Sequence, residues 1–253
     1  MYQKFKYCLL LFIILNWVAC GTGVENQDLP PSPVRLVEKS AEDAVEEKGI
    51  DAEAIPGPEG DIAGNGIVLQ WYALQEEDIA GYNVYRSETD SLRDFIRIAQ
   101  VEDTFYLDKA VQPNQKFYYY YVTAVDQAGQ EGEPSEVGKY ALIPWADLVY
   151  PIRDTEFNGQ GGTFAWDFSS GFPVTFVFRL EREIQPNIYV NFFTKHIVNI
   201  TDYDVNQEWS LSRLAEEGLS TPLPTGRYRW RIDNLGSEAY QGSESLWEFF
   251  VVK

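Results

Sequence analysis

Apolar side chains recur at every second position through most of the chain, the period of a strand with one face in a core. Ile67, Leu69 and Trp71 share one face, and Tyr82 and Val84 repeat the pattern within 80–86. Phe95, Ile96 and Ile98 begin another strand, 105–107 is a short one, and Phe117–Asp126 is the longest. Gln112-Pro113-Asn114 and the Gly/Pro-containing stretch 127–134 punctuate these runs, and 137–142 closes the series. Short strands bounded by turn residues, without a convincing long helix, predict an all-β antiparallel sandwich.

The scheme then repeats. Phe164 and Trp166 match Leu69 and Trp71, and Phe176 and Phe178 match Tyr82 and Val84, at an offset of 94–95 positions. Tyr228-Arg229-Trp230-Arg231-Ile232 matches Tyr118-Tyr119-Tyr120-Tyr121-Val122 at 110. The growth in offset places an extra piece in 184–219, with a turn of helix expected at 214–218. Repetition at about 100 residues predicts two sandwiches in tandem. The first spans 33–142, opening with a short strand at 34–37, and the second spans 145–253. Between them Trp145 is expected to wedge and limit their swing, giving a semi-rigid rod. Within the first, 38–61 is rich in acids and holds Pro56-Gly57-Pro58; it reads as a solvated insertion.

The N-terminus follows other rules. Lys4 and Lys6 precede an apolar run too short to span a membrane comfortably, ending in Trp17-Val18-Ala19-Cys20. That is the layout of a secretory signal, 1–19, followed by a Gly/Pro-containing tether, 20–32. Thirty-nine acids against 20 bases give a formal charge of −19, which repels phosphate backbones and makes nucleic acid an unsuitable partner. One His, one Met and two Cys leave little for a metal centre or a disulfide framework. No Asp-x-Asp-x-Asp-Gly spacing suggests calcium. Neither a cofactor nor a metal site is expected.

Two resemblances follow. The Ala19-Cys20 ending is similar to the lipobox of bacterial lipoproteins, although Trp17 stands where that family usually has Leu. The likeness implies diacylation (palmitate or a related chain) of Cys20, anchoring in the cell envelope, and the outer membrane where a cell has one. Asp78-Ile79-Ala80-Gly81-Tyr82-Asn83-Val84-Tyr85-Arg86, Tyr121-Val122-Thr123-Ala124-Val125-Asp126 and Glu133-Pro134-Ser135-Glu136 resemble fibronectin type III domains. So, more weakly, do Gly226-Arg227-Tyr228-Arg229-Trp230-Arg231-Ile232 and Ser245-Leu246-Trp247. The resemblance implies immunoglobulin-like sandwiches with sheets ABE and C′CFG, core tryptophans at Trp71 and Trp166, and corner tyrosines at Tyr118 and Tyr228. Phe117 is the alternative for the first corner. The Arg-Gly-Asp tripeptide of some members is absent.

No catalytic spacing emerges: His196 sits in an alternating apolar stretch, and neither a Gly-x-Ser-x-Gly elbow nor His-Glu-x-x-His occurs. The chain reads as non-enzymatic. If Tyr118, Tyr120, Val122 and Ala124 face the core, alternation turns Phe117, Tyr119 and Tyr121 outward, with Tyr85 beside them. Such a stripe either recognises a protein or glycan partner or stiffens the sheet by cross-strand pairing. The equivalent outward positions of the second module carry Arg179, Arg229 and Arg231. These either form a solvated ladder with neighbouring acids or dock an acidic partner. The expected function is a lipid-anchored binding or assembly module, with a carbohydrate-binding accessory and a purely structural spacer as alternatives.

Overall fold

The computed structural model describes residues 29–39, 49–58, 61–169, 174–199 and 204–253. Cys20 and the leader, with 40–48 of the acidic segment, lie outside them. The described residues form sixteen strands and one short helix, an all-β fold. In the first half the strands are β1 (Asp51–Pro56), β2 (Ile62–Gln70), β3 (Ile79–Ser87), β4 (Ile96–Val101), β5 (Phe105–Asp108), β6 (Phe117–Asp126) and β7 (Gly138–Leu142). In the second they are β8 (Asp147–Tyr150), β9 (Thr155–Phe157), β10 (Thr163–Ser169), β11 (Val174–Gln185), β12 (Ile188–Asn199) and β13 (Asp204–Ser210). The helix α1 (Leu211–Glu216) follows, then β14 (Gly226–Leu235), β15 (Gln241–Glu244) and β16 (Glu248–Val252).

β1-β2-β5 forms one sheet of the first half, and β7-β6-β3-β4 runs as the other. Their inner faces share one apolar cluster built from Ile67, Leu69, Trp71, Tyr82, Val84, Tyr118, Tyr120, Val122 and Ala124. Every second residue of β6 from Tyr118 to Ala124 is buried, while Phe117, Tyr119 and Tyr121 are half-buried on the opposite face. Because residues 117–121 are all aromatic, hydrophobicity alone cannot phase this strand; Val122 and Ala124 do so. The second half repeats the plan with β8-β10-β13 against β12-β11-β14. Its separate cluster centres on Phe164, Trp166, Phe176, Phe178, Tyr228, Trp230 and Phe250.

Three differences from the sequence expectation are informative. The acidic stretch 38–61 is not wholly a solvated insertion, since Asp51–Pro56 is a strand paired along β2. Asp51 is buried there because Lys39 pairs with its carboxylate and the Tyr140 hydroxyl donates to it at 2.7 Å. That local neutralisation lets an acid enter a core. At 34–37, in place of a strand, there is a single bridge, Leu36 to Trp71, with Val34 and Leu36 buried. The helical turn falls at Leu211–Glu216, where the Ser210 hydroxyl accepts from the Arg213 N–H, an N-cap.

Hydrogen bonding does not stop between the halves. β15 pairs with β7 in parallel, so β12-β11-β14-β15-β7-β6-β3-β4 is one path through a ten-stranded sheet. The Ala141 N–H donates to Tyr240 O at 2.9 Å and the Ile143 N–H to Gly242 O at 3.1 Å. Side chains reinforce the seam. Asn65 is buried and receives the Glu244 N–H on Oδ1 at 2.7 Å while donating Nδ2 to Glu244 O at 3.0 Å. Asn234 and Ser243 both donate to Pro144 O. These directional hydrogen bonds tie the two halves together in addition to their apolar contacts. Trp145 is half-buried beside the seam and forms no part of this hydrogen bonding.

Candidate functional site

The outward face of the first half carries the aromatic stripe. β3 and β6 pair with Tyr85 opposite Tyr121, and their rings stack at 4.6 Å with planes 19° apart. Phe95 packs on Tyr121 at 4.7 Å. Phe117 lies beneath the Lys139 ammonium, 4.2 Å from it, and half-buried Tyr119 is in register with Lys139 on one side and Ser87 on the other. The Tyr85 hydroxyl donates to Glu131 at 2.7 Å, and the Thr123 hydroxyl donates to the same oxygen. Burial pushes the Tyr85 hydroxyl up to about 12, helped by the hydrogen bond to Glu131 and its charge. At Glu131 burial acts to raise the pKa. Hydrogen bonds from Thr123, Tyr85 and Asn83 outweigh it and hold the carboxyl below its ordinary range. Much of the Tyr85 and Tyr121 ring surface is therefore spent on the neighbouring ring, the geometry of cross-strand stiffening.

The arginines differ more from expectation. Arg179 and Arg231 are each only 6% exposed, not members of a solvated ladder. Arg231 is bidentate to Glu244, at 2.8 and 3.0 Å, and its Nε lies 2.8 Å from Asp233 Oδ1. Arg179 pairs with the other Asp233 oxygen. Two guanidiniums and two carboxylates thus meet in one buried quartet with equal numbers of each charge. Its cause is strand pairing within the second half, where β15 brings Glu244 opposite Asp233 on β14, and the first half covers it through Asn65. Arg229 stays nearer the surface, held by Glu181 and sandwiched between the rings of Tyr189 at 4.6 Å and Trp247 at 4.3 Å. Trp247 also caps Arg231 at 4.7 Å. Each of the three cations has a carboxylate from its own chain.

Sequence reasoning missed two features. One is a repeated serine latch: the Ser135 N–H donates to Val122 O while its hydroxyl accepts the Val122 N–H at 3.0 Å, and Ser245 treats Ile232 identically. The 110-position offset was the available signal. The other is a cleft of about 620 Å³ where the halves meet. Ile62, Trp145, Ala146, Leu148 and Leu246 give it apolar walls, and Asp61, Asp147, Glu248 and Arg153 contribute charge. Glu248 accepts the Arg153 backbone N–H at 2.9 Å. Asp61 and Asp147 have no ion pair among the described residues. That volume lies within the span of small-ligand sites.

Among the described residues there is no group of three His, Cys, Asp or Glu placed to hold a metal ion. Within the same residues no helix is long and apolar enough to cross a membrane. No protein-family model matches the chain, and none of the curated proteins compared does. Among solved structures the chain is similar to a crystal structure of pectate lyase Pel3 from Pectobacterium carotovorum, at 17% identity and a TM-score of 0.28. The match covers 48% of this chain and 31% of that one. A likeness that slight carries no argument about fold or chemistry.

Proposed function

We propose that the chain is a lipid-anchored envelope protein whose two fibronectin type III-like sandwiches act together as one non-catalytic binding or assembly module. The observation that carries this reading is the seam: β7·β15 pairing and the Asn65–Glu244 contact hold both halves in one orientation, as a module presenting a composite surface requires. Several features support the fibronectin type III-like part. The strand orders β1-β2-β5 and β7-β6-β3-β4 correspond to ABE and C′CFG. The corner hydroxyls are engaged, Tyr118 accepting the Gln112 N–H at 3.1 Å and Tyr228 donating to Pro224 O at 2.7 Å. For the first corner this favours Tyr118 over Phe117.

The anchor rests on Ala19-Cys20 and the signal-like residues before it. With acyl chains on Cys20, each buried methylene contributes about 0.8 kcal/mol of membrane affinity. Two measurements on intact cells test the whole reading. Palmitate labelling and membrane fractionation should both be lost in Cys20→Ser, and a saturable partner should crosslink to the anchored parent. Full membrane retention of unlabelled Cys20→Ser would overturn the anchor. Absence of any saturable partner would leave a spacer in place of a binding module.

A further inference from the structure

The cleft at the seam has three properties that together select a ligand class. First, its walls come from both halves: Asp61 from the first, Trp145 from the link, and Asp147, Leu246 and Glu248 from the second. The seam therefore sets its shape before any ligand arrives, which lowers the ordering cost of binding. Second, Trp145 and Leu246 are half-buried, so part of each side chain faces solvent and burial of an apolar side chain against them would be favourable. Third, three carboxylates against the single guanidinium of Arg153 line the same space, on a chain whose formal charge is already −19. Asp61 and Asp147 are exposed and without an ion pair among the described residues, so a cation could reach them without breaking an existing bridge. A neutral sugar can donate hydroxyls to these carboxylates but has no net charge to be drawn by the field, a cationic group gains both terms, and an anion is repelled.

We infer that the junction cleft docks a cationic peptide segment of a partner protein, an aliphatic side chain seating against Trp145 and Leu246 and flanking Lys or Arg meeting Asp61, Asp147 and Glu248. This rests on the binding-module reading and gives that module a partner chemistry. Most of the affinity comes from apolar anchoring, while the carboxylates speed encounter and reject acidic segments.

The test is fluorescence anisotropy of a labelled acetyl-Lys-Leu-Lys-Leu-Lys-amide peptide with the full-length protein in neutral detergent. Saturable binding is expected that weakens about tenfold or more between about 50 and about 500 mM salt, where screening shortens the reach of the charges. Asp61→Asn with Asp147→Asn should weaken binding about tenfold and flatten the salt dependence, without a change in melting temperature. Trp145→Ala should weaken it at every salt concentration. The Glu-Leu-Glu-Leu-Glu counterpart should not bind. No saturable binding, or equal binding by the Asn pair and the parent, would overturn the proposal. Displacement by a neutral hexasaccharide without salt dependence would assign the cleft to a glycan and overturn it too. If a partner captured on cells is retained equally by the Asn pair and the parent, the cleft assignment fails while the module reading stands.

Discussion

Replacing Glu244 by Gln preserves shape and removes one charge from the buried quartet. Arg231 then keeps a hydrogen-bond acceptor but loses its bidentate ionic partner, and the four-residue cluster passes from neutral to +1. Charges about 4 Å apart attract by about 4 kcal/mol at an effective dielectric near 20. Arg231, at 6% exposure, has little access to compensating water. Breaking one side of such a buried pair typically costs about 3–5 kcal/mol, the figure expected here. Guanidinium unfolding of the detergent-solubilised protein measures it, as a lower midpoint at unchanged slope. Removing both partners together, Arg231→Met with Glu244→Leu, should recover more than half of the loss, because no unpaired charge then remains buried. A Glu244→Gln protein within about 1 kcal/mol of the parent would refute the reasoning, since it would mean that water reaches the quartet.

Two further outcomes follow from single hydroxyls. Tyr228→Phe deletes the bond to Pro224 O and leaves the ring stacked on Phe250 at 5.3 Å, so a loss of about 0.5–1.5 kcal/mol is expected by the same denaturation assay. In alkaline titration followed at 295 nm, Tyr85 should ionise near 12, well above an ordinary tyrosine. Because its pKa is raised on folding, the stability from its protonated hydroxyl is fully present below about 10 and is lost as pH climbs towards 12. Other buried tyrosines, Tyr120 and Tyr140 among them, are also raised, so Tyr85→Phe should shrink the late ionisation by one tyrosine without abolishing it; an unchanged amplitude would contradict the contact with Glu131.

How much of this was legible in the sequence varied with the physics of each element. The strands from 62 to 142 announced themselves because alternation and turn residues are local signals, and the phase of β6 could be read from Val122 and Ala124. Asp51–Pro56 was hidden because an acid counts as solvated until Lys39 and Tyr140, 12 and 89 positions away, are known to meet it. Arg179 and Arg231 misled for the same reason. Alternating arginines look like a wet surface, and only the pairing of β15 with β14 places Glu244 over them. The serine latches were visible in outline, since Ser135 and Ser245 share the offset of Tyr118 and Tyr228, yet their role needs the strand before them. The cleft had no local signature at all, being made by residues from Asp61 to Glu248 that only the seam assembles.

The account depends most on that seam holding the two cores as one body, and native-state hydrogen exchange at two amides tests it most directly. The Ala141 and Ile143 amides bond across the seam to Tyr240 O and Gly242 O, and exchange rates close to those of the buried β6 amides are expected. Exchange at those two positions as fast as in an exposed loop, with β6 still protected, would show the halves parting freely and would contradict the account.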